Sequence, residues 1–142
     1  MITVKDFMHM FEKVPQKHKD AIVNFAPSDK IFGQVNDVFI DDTDDGRHCI
    51  FTLAPYRNGQ RFKDCSINGN RHPPIMLSDI CNSLKGISPS TVIKVRYTDP
   101  LAFGPKSGQI VDMPIDSITL DKLMGIFLRT SEDVEPTVVS AL

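Results

Sequence analysis

Two segments of this chain, seventy-five residues apart, have nearly the same sequence. Residues 33–41 read GQVNDVFID and residues 108–116 read GQIVDMPID, with five identical positions. A match of nine residues can arise by chance, so the flanking segments decide whether it marks a duplication. A true repeat limits the fold strongly, because each copy must form the same elements and bury the same apolar face.

Each copy is preceded by the apolar spacing of an amphipathic helix. Apolar residues recur at intervals of three, four and three in both halves, which places them on one side of a helix. Asp6 and Asp79 fall in the first turns, where the helix dipole favours a carboxylate. Thr3 is a suitable N-cap for the first helix, and Ser78 is the candidate cap of the second. The two stripes are Val4, Phe7, Phe11 and Val14, and Leu77, Ile80, Leu84 and Ile87.

Three strand-like segments follow each helix in the same order. Residues 21–26 (AIVNFA) match 92–97 (VIKVRY), the near-identical segments come next, and 49–54 (CIFTLA) match 125–130 (GIFLRT). These segments are rich in β-branched and aromatic residues and alternate roughly between apolar and polar. Proline lacks a donor N–H, so we expect the strand around Pro114 to lie at a sheet edge or a bulge.

The sequence therefore predicts an α+β fold built from an internally duplicated helix–strand–strand–strand unit. Residues 2–54 form repeat one and 75–130 form repeat two, with an inserted connector or flap at 55–74 and a tail at 131–142. We expect a single compact domain with antiparallel sheets and pseudo-twofold symmetry, the sheets either joined edge to edge or stacked. One unit of about 50 residues buries little apolar surface alone, so the halves should cover each other. The alternative is two unrelated units that share a hydrophobic pattern.

Charge and composition exclude several broad classes of protein. Sixteen basic and eighteen acidic residues give a net charge of −2, which is too balanced for generic nucleic-acid or membrane binding. No apolar run approaches the roughly 20 residues of a membrane-spanning helix. Residues 1–13 carry charges within their apolar pattern, so no signal peptide is expected. The three cysteines, Cys49, Cys65 and Cys81, form no close pair, and reduced thiols in a cytoplasm are the simplest interpretation.

The connector is the most function-like part of the chain, because the repeat does not explain it. Asn-Gly pairs at 58–59 and 68–69 predict turns on either side of a short strand or flap. Its basic groups can neutralise phosphates and its aromatic rings can stack on bases, although a solvated connector is the alternative. The candidate partner- or anion-binding residues are Tyr56, Arg57, Arg61, Phe62, Lys63, Arg71 and His72.

The sequence contains no recognised catalytic or metal-binding motif. Cys65, His72 and Cys81 lack the close ligand pairs typical of a zinc site, and no Gly-x-Ser-x-Gly or Cys-His signature occurs. We therefore expect no catalytic residues, no metal and no cofactor. A cryptic hydrolase is an alternative, and it would require His48, His72 and Cys65 to cluster in space.

Several acidic residues invite a functional interpretation. Residues 41–48 (DDTDDGRH) resemble a calcium loop, but Thr52 replaces the glutamate at its twelfth position, so a hairpin turn at 45–46 is the better interpretation. Asp41 recurs as Asp116, and Asp37 recurs as Asp112. Such related carboxylates can form an acid pair, but strand-end residues placed twice by one fold are the simpler explanation.

The first repeat carries three short motifs in order. It opens with TVKDF at 3–7, reaches VP at 14–15 and ends in IFTL at 50–53. This combination resembles small accessory proteins of phages and mobile elements, which open with a T-V-x-[DE]-[LF] helix and continue into short strands. The second repeat departs from the pattern at its start (MLSDI). The resemblance implies a virus-encoded accessory or regulatory protein, and it carries over no activity and no functional residues.

The sequence supports three functional hypotheses. The favoured one is a non-catalytic protein-interaction module that docks by strand addition or loop insertion, through residues 55–74 and 98–108. If the resemblance holds, the partner is a host protein or defence system that is modulated or inhibited in the host cytoplasm. The second is a binder of a small anionic ligand or nucleotide, held by the connector or across the axis of a homodimer. The third is the cryptic hydrolase. None of them involves a membrane.

Overall fold

Two helices and ten strands make up the described part of the chain. The computed structural model describes residues 1–28, 31–43, 46–55, 65–98, 110–121, 125–130 and 137–140, and every structural statement below concerns these residues. The helices are α1 (Val4–Glu12) and α2 (Leu77–Leu84), with a short 3-10 helix at Gln16–His18. The strands are β1 (Val23–Ser28), β2 (Ile31–Thr43), β3 (Gly46–Pro55), β4 (Cys65–Ile67), β5 (Asn70–His72), β6 (Val92–Thr98), β7 (Ile110–Pro114), β8 (Ser117–Asp121), β9 (Gly125–Arg129) and β10 (Thr137–Ser140).

All the strands belong to one curled sheet, which confirms the predicted α+β class. Its main path runs β10-β7-β6-β3-β2-β1-β9-β8, and the hairpin of β4 and β5 attaches to β2. Neighbouring strands of one half are antiparallel, as predicted. Strands of different halves pair in parallel, β1 with β9 and β3 with β6, so the sheet is mixed. The halves therefore share one sheet and do not stack as two.

The middle strand of the second half is divided where the first half has one long strand. β2 runs through 13 residues, whereas its counterpart is split into β7 and β8. β7 ends at Pro114, which lies opposite Lys94 of β6, and buried Ile115 follows it. Proline has no N–H to continue the ladder, which accounts for the break. In the tail, β10 pairs with β7.

The first helix begins as its sequence predicts. The hydroxyl of Thr3 accepts a hydrogen bond from the Asp6 N–H at 3.3 Å, and the Asp6 carboxylate accepts one from the Thr3 N–H at 2.9 Å. This reciprocal arrangement is a capping box, which satisfies backbone donors that the first turn leaves open. The hydrogen bond from the Thr3 backbone lowers the pKa of Asp6, because it stabilises the ionised carboxylate.

The predicted cap of the second helix is wrong. Helix α2 begins at Leu77 with Met76 as its N-cap, two positions earlier than a Ser78 cap would allow. The Met76 N–H donates to the Asp79 carboxylate at 2.9 Å. The Ser78 hydroxyl donates instead to Asp20, at 2.8 Å. The carboxylate in the first turn therefore satisfies the backbone N–H of the cap residue, as the Asp6 carboxylate does at the start of α1.

The apolar faces of both helices join one hydrophobic core with strands from both halves. The rings of Phe7 and Phe51 meet edge to face with their centroids 5.7 Å apart. Phe11 is only partly buried, and Val14 and Ile87 lie beyond the helix ends against the core. No helix among the described residues is long and apolar enough to span a membrane. The fully buried members of the two predicted stripes are Val4, Phe7, Leu77, Ile80 and Leu84.

Gly33 allows β2 and β3 to approach closely at the start of their pairing. It lies opposite Pro55 on one side and Phe25 on the other. A Cβ at this position would lie 2.4 Å from the backbone oxygen of Ala54. Backbone atoms in a paired strand cannot move aside easily, so the position requires glycine.

We expect Gly33→Ala to lower the free energy of unfolding by about 1–3 kcal/mol, because the added methyl group overlaps a strand backbone. The matched control is Gly86→Ala. In the part of the chain that the structure describes, no atom lies within 4 Å of a Cβ at Gly86, and the residue does not need a positive φ. Urea denaturation of both variants measures the difference. Equal midpoints for the two variants would contradict the assigned role of Gly33.

Candidate functional site

The described part of the connector forms a β-hairpin. β4 and β5 pair antiparallel, with Ser66 opposite Arg71. Asn68 and Gly69 connect them with φ angles of 51° and 80°. Two successive positive φ angles are the signature of a type I′ turn, which Asn-Gly adopts readily. The turn predicted at 68–69 and the short strand before it are therefore confirmed.

The hairpin is anchored to the sheet through β4. This strand pairs in parallel with Asp37 and Val38 of β2. The N–H of Asn68 donates to the carbonyl of Val38 at 2.8 Å. Cys65 is buried and Ile67 packs against the core. β5 is thus the outer strand of the hairpin, and within the described residues no strand pairs with its other edge.

The structure places two of the seven predicted binding residues on this outer strand. Arg71 is exposed and His72 is half-buried. The Nδ1 of His72 lies 2.6 Å from the carbonyl oxygen of Pro73, and its Nε2 lies 3.8 Å from Asp79. Because a carbonyl only accepts, Nδ1 carries the proton. Outside the described residues lie Tyr56, Arg57, Arg61, Phe62, Lys63 and nearly all of the 98–108 loop.

The hydrolase hypothesis needs three side chains that the sheet does not bring together. Cys65 and His72 are directly opposite each other in the hairpin. His48 lies on β3, opposite Asp41 of β2. Asp41 is four residues from Asp37, where the hairpin attaches, a separation of about 13 Å along the strand. Among the described residues, no three His, Cys, Asp or Glu side chains are grouped to hold a metal ion.

A partly buried ion-pair cluster, which the sequence did not predict, connects the two halves. The Arg96 guanidinium of β6 donates to both carboxylate oxygens of Asp112, at 2.8 and 3.1 Å, and to Asp41 at 2.8 Å. These three residues are the Arg96 cluster. The side chains of Asp112 and Arg96 are 4% and 13% exposed. The hydrogen bond to Asp112 raises the pKa of Arg96, although burial opposes the rise, so the guanidinium stays charged.

The Arg96 cluster explains two of the recurring carboxylates. Asp41 and Asp112 come from different recurring pairs, and one guanidinium binds both. Asp116 lies elsewhere and accepts a hydrogen bond from the amino group of Met1 at 3.3 Å. Both carboxylates accept hydrogen bonds from the guanidinium, so their arrangement is a salt bridge centred on Arg96. The cluster therefore ties β2 to β6 and β7.

Two of the three thiols are too strongly buried to act as nucleophiles. Cys49 and Cys81 are both free and buried. Burial raises the pKa of each thiol to about 12, because the apolar surroundings disfavour the thiolate. The thiolate is the nucleophilic form, so neither residue resembles an activated catalytic cysteine.

Comparison with known proteins found no relative of this chain. No protein-family model, no curated protein and no solved structure matches the chain. Any functional conclusion therefore has to come from the hairpin, the sheet edges and the buried clusters themselves.

We expect Arg96→Met to lower the free energy of unfolding by about 3 kcal/mol, because it leaves the Asp112 carboxylate buried without its cation. The matched control is Arg47→Met. Arg47 binds Asp42 at 2.9 Å, but the two side chains are 66% and 71% exposed. Exposed pairs contribute little, so the control should melt like the parent protein. If the two variants lost the same free energy of unfolding, burial would not be what determines the strength of the Arg96 cluster.

We expect Cys49 and Cys81 to resist alkylation in the folded protein at pH 8, since with a pKa of about 12 only about one thiol in ten thousand is ionised. The folded pKa lies above the ordinary thiol value of 9.0, so the stabilising effect of these thiols is complete below pH 9 and is lost as the pH rises toward 12. Mass spectrometry of folded and urea-unfolded protein after iodoacetamide treatment measures the reaction. Modification of both thiols at the unfolded rate would contradict the burial argument.

Proposed function

We propose that this chain is a non-catalytic protein-interaction module that docks through the hairpin of its connector. The observation that carries the proposal is the outer strand β5, whose other edge is paired with no strand in the described part of the chain. Asn70 and Arg71 on this strand are exposed. An exposed strand edge offers backbone N–H and C=O groups to an added strand, and alternate side chains then give specificity.

The composition of the connector favours an acidic partner. Arg71 stands on β5, and the preceding residues of the connector include Arg57, Arg61 and Lys63. Clustered cations steer encounters with acidic surfaces and favour correct partners over wrong ones. The short, polar character of β5 also fits a strand that is exposed before its partner arrives, since long apolar edges aggregate.

The resemblance of residues 2–54 to phage accessory proteins supports a particular class of partner. It supports a partner that belongs to the host, such as a component of a defence system, which the module modulates or inhibits in the host cytoplasm. The alternative function is a binder of a small anion or nucleotide, and the same basic residues support it.

We also propose that the two halves descend from one duplicated unit and are related by pseudo-twofold symmetry. Reciprocal contacts between the halves support this origin. The N–H of Val4, the first residue of α1, donates to Thr91 just before β6, and the N–H of Leu77, the first residue of α2, donates to Ala21 near the start of β1. Both distances are 2.9 Å.

The second residue of each helix also donates its backbone N–H to a carbonyl of the opposite half. The Lys5 N–H donates to Pro89 at 3.0 Å, and the Ser78 N–H donates to Lys19 at 2.9 Å. In addition, the first strand of each half pairs in parallel with the last strand of the other. The duplication can be tested in relatives of this chain. Relatives whose two halves are more similar in sequence would support it, whereas relatives in which a single half packs on an unrelated fold would contradict it.

We expect replacement of Arg57, Arg61, Lys63 and Arg71 by alanine to weaken partner capture from host lysate without changing the melting temperature. A control variant with the same charge loss elsewhere replaces four exposed lysines of the helical segments, Lys5, Lys13, Lys17 and Lys85. Quantitative mass spectrometry compares the partners captured by the parent and by each variant. Equal capture by all three proteins would contradict docking through the connector, and a lost melting transition would show that its cations belong to the core assembly.

A thermal-shift screen with nucleotides and inorganic phosphate separates the two functions. A ligand at a hundred times its dissociation constant adds about 2.7 kcal/mol to the free energy of unfolding, which raises the melting temperature visibly. A rise that the four connector substitutions abolish would favour the anion binder. A flat screen would favour the protein partner.

A further inference from the structure

We propose that the chain also binds a second copy of itself, by antiparallel pairing of β8 with the same strand of the other copy. β8 ends the main path of the sheet and pairs only with β9 among the described residues. Thr119, Leu120 and Asp121 are exposed, and the Leu120 side chain keeps 40% of its surface open to solvent. This surface is separate from the hairpin of the connector, so the inference does not rest on the proposed function.

The first half shows how this kind of edge is covered elsewhere in the molecule. β2 pairs with β3 on one edge, and its other edge is taken by β1 and β4. The matching positions of the second half lie on β7, whose outer edge is taken by β10. β8 differs, because among the described residues it pairs with β9 alone and no strand lies along its other backbone edge.

A groove beside β8 suits apolar side chains. It is an open groove of about 230 Å³, and its walls are mostly apolar (Met10, Val14, Pro15, Ile118 and Leu120) with Lys13 beside them. Side chains of an added strand that stand on the same face as Ile118 and Leu120 would extend this apolar wall. The burial of Leu120 then contributes to association through the hydrophobic effect.

The sequence of β8 is complementary to itself when two copies cross at Thr119. Ile118 then faces Leu120 of the second copy, Ser117 faces Asp121 of the second copy, and Thr119 faces itself. Apolar residues meet apolar residues, and no like charges lie opposite each other. A crossing at Leu120 would set Ile118 against Lys122, and a crossing at Ile118 would set Leu120 against Asp116. Thr119 is therefore the favoured centre.

Charges on the neighbouring strand support the same register. Arg129 of β9 lies opposite Ser117, and its Nε donates to the Thr119 hydroxyl at 3.1 Å. In the paired dimer, Asp121 of the second copy would lie beyond Ser117 in the same row. Two strand spacings separate it from Arg129, about 10 Å between Cα atoms, which the two side chains can bridge. The symmetry repeats this ion pair on the other side of the axis.

The dimer should be weak, because a five-residue strand buries less surface than a standard interface. Sedimentation velocity from low micromolar to high micromolar concentration should therefore show a monomer that converts to a dimer. Thr119→Asp and Thr119→Lys each place like charges on the axis and should weaken dimerisation by about tenfold or more. An equimolar mixture of the two variants should restore the dimer, because opposite charges then meet. Thr98→Asp, at an exposed position on β6, is the control and should dimerise like the parent.

A second measurement does not depend on electrostatics. Oxidation of Thr119→Cys should give a disulfide-linked dimer, since identical residues face each other at the axis, whereas Ser117→Cys faces Asp121 and should link poorly. A parent protein that stays monomeric at every concentration, a dimer that both charge variants retain, or a mixture that stays monomeric would each overturn the proposal. Preferential linkage through Ser117→Cys would also overturn it.

Discussion

The two halves of the chain are hydrogen-bonded to each other through their first and last strands, β1 with β9 and β3 with β6. If the halves separated, two rows of backbone donors and acceptors in the sheet would lose their partners, and each unmet group in a buried position is costly. The helices strengthen the dependence, because the N–H groups of Val4 and Leu77 donate to carbonyls of the opposite half. The hydrophobic core also joins the halves, since apolar residues of both halves form one cluster. Within the described residues, the connector hairpin attaches to β2 and β8 attaches to β9, and both supporting strands belong to this shared sheet.

The sequence was most informative where local chemistry decides the structure. The apolar stripes located both helices, and Asn68-Gly69 located a turn whose two positive φ angles few other residue pairs adopt. The sequence did not predict features that depend on a residue far away in the chain. The Ser78 hydroxyl donates to Asp20, which is 58 residues away in the chain, and does not cap α2. Parallel pairing of β1 with β9 leaves no trace in either strand, because residues about 100 positions apart provide the contacts. Of the seven candidate site residues, only Arg71 and His72 fall on described elements.

Buried charge was the other feature that sequence reasoning missed. Arg96 occupies a polar position in an alternating strand, which usually indicates a residue facing solvent. Its side chain is only 13% exposed, because Asp112 on the next strand and Asp41 on the far side of β3 together bind the guanidinium. Asp41 and Asp112 each have a matching aspartate in the other half of the sequence, and this recurrence was the available signal. It did not indicate that Arg96 binds both carboxylates. The net contribution of such a cluster to stability is small, because desolvation offsets much of the attraction, whereas removal of the cation alone is costly.

The two proposed contacts would use edges of the same sheet that differ in chemistry. The hairpin edge at β5 is polar and basic, so contacts there depend on charge and weaken as salt screens it. The edge at β8 carries exposed Leu120 beside an apolar groove, so contacts there depend on apolar burial and on shape. The edges are carried by different strands, since β5 attaches through β4 to β2 and β8 attaches to β9. A partner bound at β5 would therefore leave the backbone edge of β8 open, and a dimer through β8 would present two hairpins to the same target. Two linked contacts raise the effective affinity for a target with repeated sites without any new contact at either hairpin.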